Sequence, residues 1–308
     1  MNYIRTCLLA AACLVVSTPA FGQATRTWVS GSSGNDANPC SRTAPCQTFA
    51  GAYNKTAAGG EINVIDAGGF GAVTIAKNIT IDGLGPMSSI LAVNFNGITV
   101  NGPGIVVNLR NLTINGGNGT IGSGIRIVDA AAVNIDNVVI ENFAGTGTNG
   151  RGVAIETAAA NVRVNIQDVR FANLTNFGVH SNPTAGNVIL AIDDATFVRG
   201  GTTAIQLRQL TNATIDETTV TGHNPGAAVA LELGTVNAHI SNSVFTDNAF
   251  GVFAGNGGAP VARITGTTIT RSATAALSLS GGTIVSYGDN PIRGNTGNEL
   301  PSAVELPR

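Results

Sequence analysis

VNIDNVVIEN, residues 133–142, is a unit that the chain repeats. Its third residue, Ile135, has an apolar counterpart in every copy, and successive counterparts are 26, 31, 26, 23, 25 and 24 residues apart. These anchor residues are Leu109, Ile135, Ile166, Ile192, Ile215, Ile240 and Ile264. A near-constant period of this length indicates a solenoid, in which short supersecondary units stack on one another.

Two further positions in each copy are restricted in type. Five residues after the anchor the residue is always apolar: Ile114, Ile140, Phe171, Phe197, Val220, Phe245 and Ile269. Two residues after the anchor the chain has Asn111, Asn137, Asp168, Asp194, Glu217, Asn242 and Gly266. Most of these residue types tolerate a left-handed backbone or hydrogen-bond to it. The pattern therefore predicts a sharp bend between two short strands in each copy.

A third strand precedes each anchor. Its copies alternate apolar positions and begin at Gly124, Gly152, Gly178, Ala204, Ala228, Gly251 and Ala276. One copy alone cannot bury its apolar side, whereas stacked copies form one continuous apolar column. Three short strands per copy predict an all-β fold, a right-handed parallel β-helix of about nine or ten coils.

Residues 1–24 have the pattern of a secretory signal peptide. Arg5 supplies the positive end, residues 7–16 form the apolar run, and residues 22–24 or 18–20 offer a small-residue cleavage site. The apolar run is too short to span a bilayer, so no transmembrane segment is expected in the mature chain. The sequence therefore predicts a secreted or periplasmic protein and does not distinguish between the two.

The charge of the chain is close to balanced, with 16 Lys and Arg against 18 Asp and Glu. A nucleic-acid partner is not expected, because such a partner favours a strong basic surplus. Only 11% of the residues are charged, while 40 are glycine, which is typical of an extracellular solenoid with many tight turns. A monomer is the default expectation.

Two cysteines, Cys40 and Cys46, follow the predicted signal peptide. An even pair of cysteines in an exported chain predicts a disulfide. The alternative is metal ligation, and no histidine or further cysteine lies nearby to complete such a site. We therefore expect Cys40 and Cys46 to form a disulfide.

Residues 28–83 carry a family resemblance. They contain Gly-Asn-Asp-Ala-Asn-Pro at residues 34–39 and Gly-Gly-Glu-Ile-Asn-Val at residues 59–64. This order resembles the opening of many bacterial secreted β-helix proteins of the pectate-lyase-like superfamily, in which a short strand, a loop, a capping helix and the first coil follow one another. The opening serves lyases, hydrolases, epimerases and uncharacterised proteins alike, so it leaves open whether this protein is an enzyme.

These patterns divide the chain into four regions: a signal peptide (1–24), an N-terminal strand, loop and capping helix (25–60), the parallel β-helix (61–297) and a C-terminal tail (298–308). The helix is predicted between Pro45 and residues 59–60. One of its faces carries Phe49, Ala52, Tyr53 and Thr56 at helical spacing. We expect this face to cover the open end of the apolar column, which would otherwise expose strand edges.

Outward positions of the third strand form two columns across the coils. The first column reads Arg126, Ala154, His180, Gln206, Ala230, Phe253 and Ser278. The second reads Val128, Glu156, Asn182, Arg208, Glu232, Gly255 and Ser280. Stacked strands lie about 4.8 Å apart, so equivalent residues on neighbouring coils are contact neighbours. The polar members therefore share one face of several coils.

In the superfamily that the chain resembles, polysaccharide lies on this face. The resemblance implies that the face binds substrate through Arg126, Glu156, His180, Asn182, Gln206, Arg208, Glu232 and Phe253. Arginine suits the carboxylate of a uronate, and an aromatic ring stacks on a sugar. The alternative is a solvated face whose charges pair along the stack, as Arg208 and Glu232 would. The leading prediction is recognition of an extracellular or cell-surface polysaccharide.

Two other functions stay open. The first is a polysaccharide lyase, hydrolase or epimerase acting on an acidic polysaccharide, with Arg126, Arg208, Glu156 and His180 as candidate catalytic residues. Glu156 and Glu232 lie three coils, or about 14 Å, apart and cannot share one calcium ion. The second is a structural or adhesive surface protein without catalysis, which the plain Thr, Asn and Ala character of most outward columns favours.

A separate acidic column lies one residue after each anchor and includes Asp193 and Asp216 on neighbouring coils. Two like charges about 4.8 Å apart are unfavourable unless something bridges them. Calcium would bridge them, with Gln167 and Ser241 as further oxygen ligands. The alternative is a pair of solvated carboxylates that point apart. No other cofactor is expected.

Overall fold

The chain winds into a column of stacked strands, described in a computed structural model for residues 23–158, 161–297 and 300–305. Strands of successive coils pair in parallel, as Val133 pairs with Val107 in one neighbour and with Val164 in the other. Residues 1–22 of the predicted signal peptide lie outside the described part of the chain. Ala24, the last residue of that prediction, begins the first strand.

One strand of each coil belongs to a nine-stranded sheet, which we call the front sheet. Its strands neighbour one another in chain order, one coil after the next. They are Val73–Ile75, Ile98–Asn101, Ser123–Asp129, Arg151–Ile155, Val179–Ser181, Ile205–Arg208, Ala227–Gly234, Phe250–Gly258 and Thr274–Ser278. The nine strands agree with the predicted number of coils.

The remaining strands form a bent nineteen-stranded sheet, which we call the back sheet. They are Ala24–Val29, Thr56–Val64, Gly68–Gly69, Ile79–Asp82, Ser88–Leu91, Val106–Asn115, Ala132–Glu141, Val162–Ala172, Val188–Asp193, Thr196–Val198, Thr211–Asp216, Thr219–Thr221, Val236–Ser241, Val244–Thr246, Val261–Thr265, Thr268–Thr270, Thr283–Ser286, Ile292–Arg293 and Ala303–Val304. The last of these pairs with Val285 and Ser286, so residues 303–304 of the predicted tail extend this sheet.

The predicted bend divides the back-sheet strands of each coil. All seven residues of the bend column have a left-handed φ, between 46° and 58°: Asn111, Asn137, Asp168, Asp194, Glu217, Asn242 and Gly266. Asparagine side chains also pair from coil to coil, since Asn137 Nδ2 donates to Asn111 Oδ1 over 2.7 Å. The residue types at this position therefore fit the backbone that the bend requires.

The anchors form the centre of the core. Leu109 pairs with Ile135, and Ile135 with Ile166, in register across the coils. All seven anchors are at most 1% exposed, and so are the seven residues five positions later. Within this column Phe171 stacks on Phe197, with ring centroids 4.5 Å apart. The apolar column predicted from the period is confirmed.

A helix, Phe49–Lys55, packs on the first coils. It begins after Thr48, whose side chain accepts a hydrogen bond from the Gly51 N–H. Phe49 and Ala52 are buried as predicted, and Phe49 packs against Phe70. The helix is shorter than predicted, because the chain turns into the strand Thr56–Val64 directly after Lys55.

The loop before the helix holds the disulfide. Cys40 and Cys46 are bonded, with their Cα atoms 4.7 Å apart, and both are fully buried. This confirms the predicted disulfide. Within the described part of the chain, no helix is both long enough and apolar enough to cross a membrane.

Candidate functional site

The outward residues of the front sheet line up as the sequence predicts over six coils. Arg126 pairs with Ala154, and the same row continues through His180, Gln206, Ala230 and Phe253. In the second row Arg208 pairs with Glu232, and Glu232 with Gly255. The predicted polar face therefore exists as one surface.

The last coil departs from the predicted columns by one residue. Leu277, not Ser278, pairs with Phe253, while Ser278 pairs with the inward Ala254. The alternation of leucine and serine in this segment suggested inward leucines, but Ala276 occupies the inward position and is 1% exposed. Ser278 is therefore wrongly assigned to the face, and Ser280 lies beyond the end of the strand Thr274–Ser278. Leu277 instead packs outward against Phe253.

An ion network surrounds Glu156. Arg126 donates through Nε to Glu156 Oε2 over 2.7 Å, and Arg151 donates through Nη2 to Oε1 over 2.8 Å. Arg151 also donates to the backbone oxygen of Thr148. The Arg151 side chain is 1% exposed, whereas the Arg126 side chain is 43% exposed. The carboxylate thus links one enclosed and one accessible guanidinium.

Arg151 is the residue of this network that sequence reasoning missed. It precedes Gly152, where the predicted strand was taken to begin, and the described strand is Arg151–Ile155. Arg151 has the same parity as the inward Val153 and Ile155. That parity could have identified it as a buried arginine, which requires a partner.

The environment of Glu156 favours its ionised form. Burial alone raises the pKa of this carboxyl, but the hydrogen bonds and charges of Arg126 and Arg151 lower it further, so the net pKa lies below the ordinary value. Glu156 is therefore a carboxylate at neutral pH. It is suited to orienting the two arginines and poorly suited to donating a proton.

His180 lies against the same network in a buried position. Its ring stacks on Phe177 with centroids 4.7 Å apart, and its Nδ1 lies 2.8 Å from Arg151 Nη1. Because a guanidinium only donates, Nδ1 must accept, and the neutral ring carries its proton on Nε2. Burial, and then the charge of Arg151, lower the pKa of His180 to about 3. His180 Nε2 has no hydrogen-bond partner among the described residues.

A second network surrounds Glu232, two coils beyond His180. Gln206 Nε2 donates to Glu232 Oε2 over 2.9 Å, and Arg208 Nη2 donates to the same oxygen over 3.1 Å. Asn256 Nδ2 donates to Oε1 over 3.0 Å. The predicted pair of Arg208 and Glu232 is confirmed. Gln206 Oε1 is buried and has no partner within the described part of the chain.

The face differs in accessibility from one residue to the next. His180 and Gln206 are 6% exposed and Phe253 is 9% exposed. Phe253 packs against Phe250 and Leu277, so little of its ring is left for the sugar stacking that the sequence suggested. Arg208 is partly exposed, and Asn182, between the two networks, is half-buried. The predicted roles of these residues in binding or catalysis stay predictions.

The predicted calcium ligands lie outside the front sheet. Asp193 and Asp216 are register neighbours on the back sheet, as expected. Asp216 Oδ1 accepts hydrogen bonds from Ser241 Oγ over 2.7 Å and from Asn242 Nδ2 over 2.9 Å. The Ser241 bond, with that of Asn242, holds the pKa of Asp216 below its ordinary value. Among the described residues, no group of three or more His, Cys, Asp or Glu is placed to hold a metal ion.

Residues 96–261 match the family model described as right handed beta helix region, which is more than half of the chain. The chain belongs to this right-handed β-helix family. The match confirms the hand that the sequence analysis predicted. Among curated proteins, none matches the chain.

Two solved structures are similar in fold. A rhamnogalacturonan lyase matches with a TM-score of 0.55 and 12% identity over 80% of this chain and 74% of that chain. The GH136 lacto-N-biosidase from Eubacterium ramulus, as its selenomethionine derivative, matches with a TM-score of 0.54 and 10% identity over 91% of this chain and 67% of that chain. At these identities the likeness shows the fold alone. It confirms the resemblance to pectate-lyase-like β-helix proteins at that level.

Proposed function

We propose that this protein binds an extracellular or cell-surface polysaccharide along the front sheet, between Arg126 and Glu232. The observation that carries the proposal is a pair of buried polar atoms on adjacent coils. His180 Nε2 and Gln206 Oε1 both lack a partner among the described residues. The two residues are direct register neighbours in the front sheet.

The pair is complementary to a hydroxyl group. Leaving a buried donor or acceptor unsatisfied costs about 1 to 3 kcal/mol. His180 Nε2 carries a proton and donates, whereas Gln206 Oε1 accepts, and one hydroxyl can serve both. Because both atoms are buried, binding must include a side-chain movement that opens them to the ligand. Sugars present such hydroxyls on every ring. The half-buried Asn182 amide and the partly exposed Arg208 in the next row extend this set of polar groups along the face.

The structural neighbours support a carbohydrate as the ligand class. Both are named for activity on glycans, one as a rhamnogalacturonan lyase and one as a lacto-N-biosidase. The buried disulfide also fits a protein of an oxidising compartment, outside the cell or in the periplasm. These likenesses are of fold, so the specific polysaccharide is left to experiment.

Binding is proposed ahead of catalysis because the charged side chains of the front sheet are already bonded to one another. Glu156 is ionised and bonded through both oxygens, so it is a poor general acid. Arg126 and Arg208, two of the candidate catalytic residues, each donate to a glutamate. Lyase, hydrolase or epimerase activity is therefore an outcome of the test below rather than a second proposal.

The test uses a panel of acidic and neutral polysaccharides, with co-sedimentation and calorimetry to measure binding. Gln206→Met removes the amide while keeping the shape, and Arg208→Ala removes the accessible guanidinium. We expect each to weaken binding roughly tenfold, since about 1.4 kcal/mol corresponds to that factor. Arg170→Ala is the matched control, because Arg170 is an exposed arginine of the back sheet.

The formation of unsaturated and reducing chain ends, which would report cleavage of the polysaccharide, is measured in the same samples. Binding that both front-sheet variants leave unchanged, or no binding across the panel, contradicts the proposal. Product formation that Arg208→Ala abolishes would replace it with the enzymatic function. Melting temperatures of the variants show whether each has kept its fold.

A further inference from the structure

A cleft lies beside the front sheet, where three successive turns meet the accessible side of Arg126. Its volume is about 450 Å³. We call it the turn cleft and define it by Asn94, Phe95, Asn96, Ile121, Arg126 and Asn149. Apart from Arg126, none of these residues was singled out by the sequence, because they lie in turns rather than in the strand columns.

The three asparagines present the same chemistry to this cleft. Asn94 Oδ1 accepts the Thr120 N–H over 2.9 Å, Asn96 Oδ1 accepts the Ser123 N–H over 3.0 Å, and Asn149 Oδ1 accepts the Gly122 N–H over 2.9 Å. A backbone N–H can only donate, so each amide must turn its oxygen towards the backbone. Each amide nitrogen is thereby left as a donor that bonds to no other described residue.

Arg126 adds charge to these donors. It bonds to Glu156 through Nε, which leaves its two Nη groups unbonded within the described part of the chain. The charged residues that line the cleft are Arg126, Arg151 and Glu156, two positive and one negative, so one positive charge is left over. Both oxygens of Glu156 are already bonded to the arginines. The polar side of the cleft therefore offers donors and a net positive charge.

Two apolar side chains complete the cleft. Phe95 is 47% exposed and Ile121 is 55% exposed, and both line it. A ring with an apolar C–H face packs favourably on an aromatic side chain. A carboxylate or a sulfate supplies acceptors only, and its hydrogen bonds to arginine and amide donors are charge-assisted. A sugar that carries one such group matches both sides of the cleft.

We infer that the turn cleft binds the anionic substituent, carboxylate or sulfate, of one sugar unit of the polysaccharide. This inference rests on the proposed function and adds the charge of the ligand to it. Recognition then has two parts. The front sheet binds hydroxyl groups of the polysaccharide near His180 and Gln206. The turn cleft binds a negatively charged group at one end of the bound segment.

The test reverses the chemistry of one donor. Asn149→Asp keeps an acceptor for the Gly122 N–H and replaces the amide donor with a charged oxygen. The matched control is Asn161→Asp, because exposed Asn161 accepts the Asn187 N–H over 2.8 Å in the same way and does not line the cleft. Arg126→Gln provides a second, independent variant.

Calorimetry compares oligouronates with their methyl esters and sulfated oligosaccharides with their desulfated forms. We expect the wild-type protein to bind one charged ligand at least about tenfold more tightly than its neutral counterpart, a difference of about 1.4 kcal/mol. Asn149→Asp and Arg126→Gln should abolish that preference, and Asn161→Asp should retain it. If the preference appears with the oligouronates, the group that binds is a carboxylate. If it appears with the sulfated oligosaccharides, the group is a sulfate.

Two results would overturn the inference. One is wild-type binding that does not distinguish charged from neutral ligands, or no binding of any charged ligand. The other is a preference that persists in both Asn149→Asp and Arg126→Gln. If Gln206→Met still weakens binding in either case, the proposed function stands and only the turn cleft is excluded.

Discussion

Two carboxylates, Glu156 of the front sheet and Asp216 of the back sheet, are stabilised in different ways. On the front sheet, Glu156 is bonded to two arginines, one of them almost fully buried, with the buried His180 alongside. On the back sheet, Asp216 is bonded to the neutral donors Ser241 and Asn242 near the surface. Other back-sheet carboxylates, Glu61 and Asp82, do pair with arginines, but those arginines are 42% to 57% exposed, whereas Arg151 beside Glu156 is 1% exposed. Enclosed charges are costly, which makes the front sheet the better candidate for function.

The largest expected effect on stability comes from removing one hydrogen-bond donor to a carboxylate, and the same change is made on each face for comparison. Arg151→Met takes away the buried partner of Glu156 and His180, and we expect it to lower the free energy of unfolding by about 3 kcal/mol. Ser241→Ala removes one neutral bond to Asp216 and should cost at most about 1 kcal/mol. Urea unfolding of both variants measures the two values. Equal losses would remove the distinction between the two faces.

A second comparison uses pH, because the buried imidazoles are neutral in the folded protein. Burial and Arg151 lower the pKa of His180 to about 3, and burial lowers that of His223 to about 4. The unfolded chain therefore binds more protons below its histidine pKa of about 6.5, and stability falls as the pH falls from there. Carboxylate protonation adds to this loss mainly below about pH 4.5, so the window of pH 6.5 to 5 isolates the histidines.

Each buried histidine should contribute roughly 1.5 kcal/mol of lost stability across that window. His180→Gln should remove about half of the wild-type loss, and the other half belongs to His223. His239→Gln is the control, since His239 is half-buried on the back sheet beside Tyr287. Unfolding free energies at several pH values provide the measurement. A His180→Gln protein with the full wild-type pH dependence would show that this imidazole is not held neutral.

The sequence predicted the periodic part of the molecule because each coil repeats the same physical demand. An inward position must be apolar and the bend must accept a left-handed backbone, as Ile135 and Asn137 illustrate. The register error at Ser278 has the same origin. Because Ala276 is small enough to face inward, the alternation of leucine and serine no longer determines which residues of this strand face inward and which face outward.

The candidate site was only partly predictable, because it depends on features that do not repeat. Arg151 is a single buried charge at an inward position, and its partner Glu156 was predicted as a surface residue. Asn149 acts through the direction of its amide, which a backbone N–H on another turn determines. Column patterns show which residues share a face. They do not show which side chains are covered, as Phe253 is by Phe250 and Leu277.

The smallest expected effect concerns Asp193 and Asp216 on the back sheet. Asp216 is already satisfied in part by Ser241, whereas the adjacent Asp193 has no such bond among the described residues. A calcium ion held between the two carboxylates would raise the melting temperature of the wild-type protein and leave that of Asp193→Asn unchanged. Glu156→Gln, on the front sheet, should keep the full response to calcium. Equal melting temperatures with calcium and with a chelator, in the wild type and in Asp193→Asn, would show that Asp193 and Asp216 hold no calcium and that Asp216 depends on its neutral donors alone. The contrast with the arginine-bound Glu156 would then hold for this pair of aspartates.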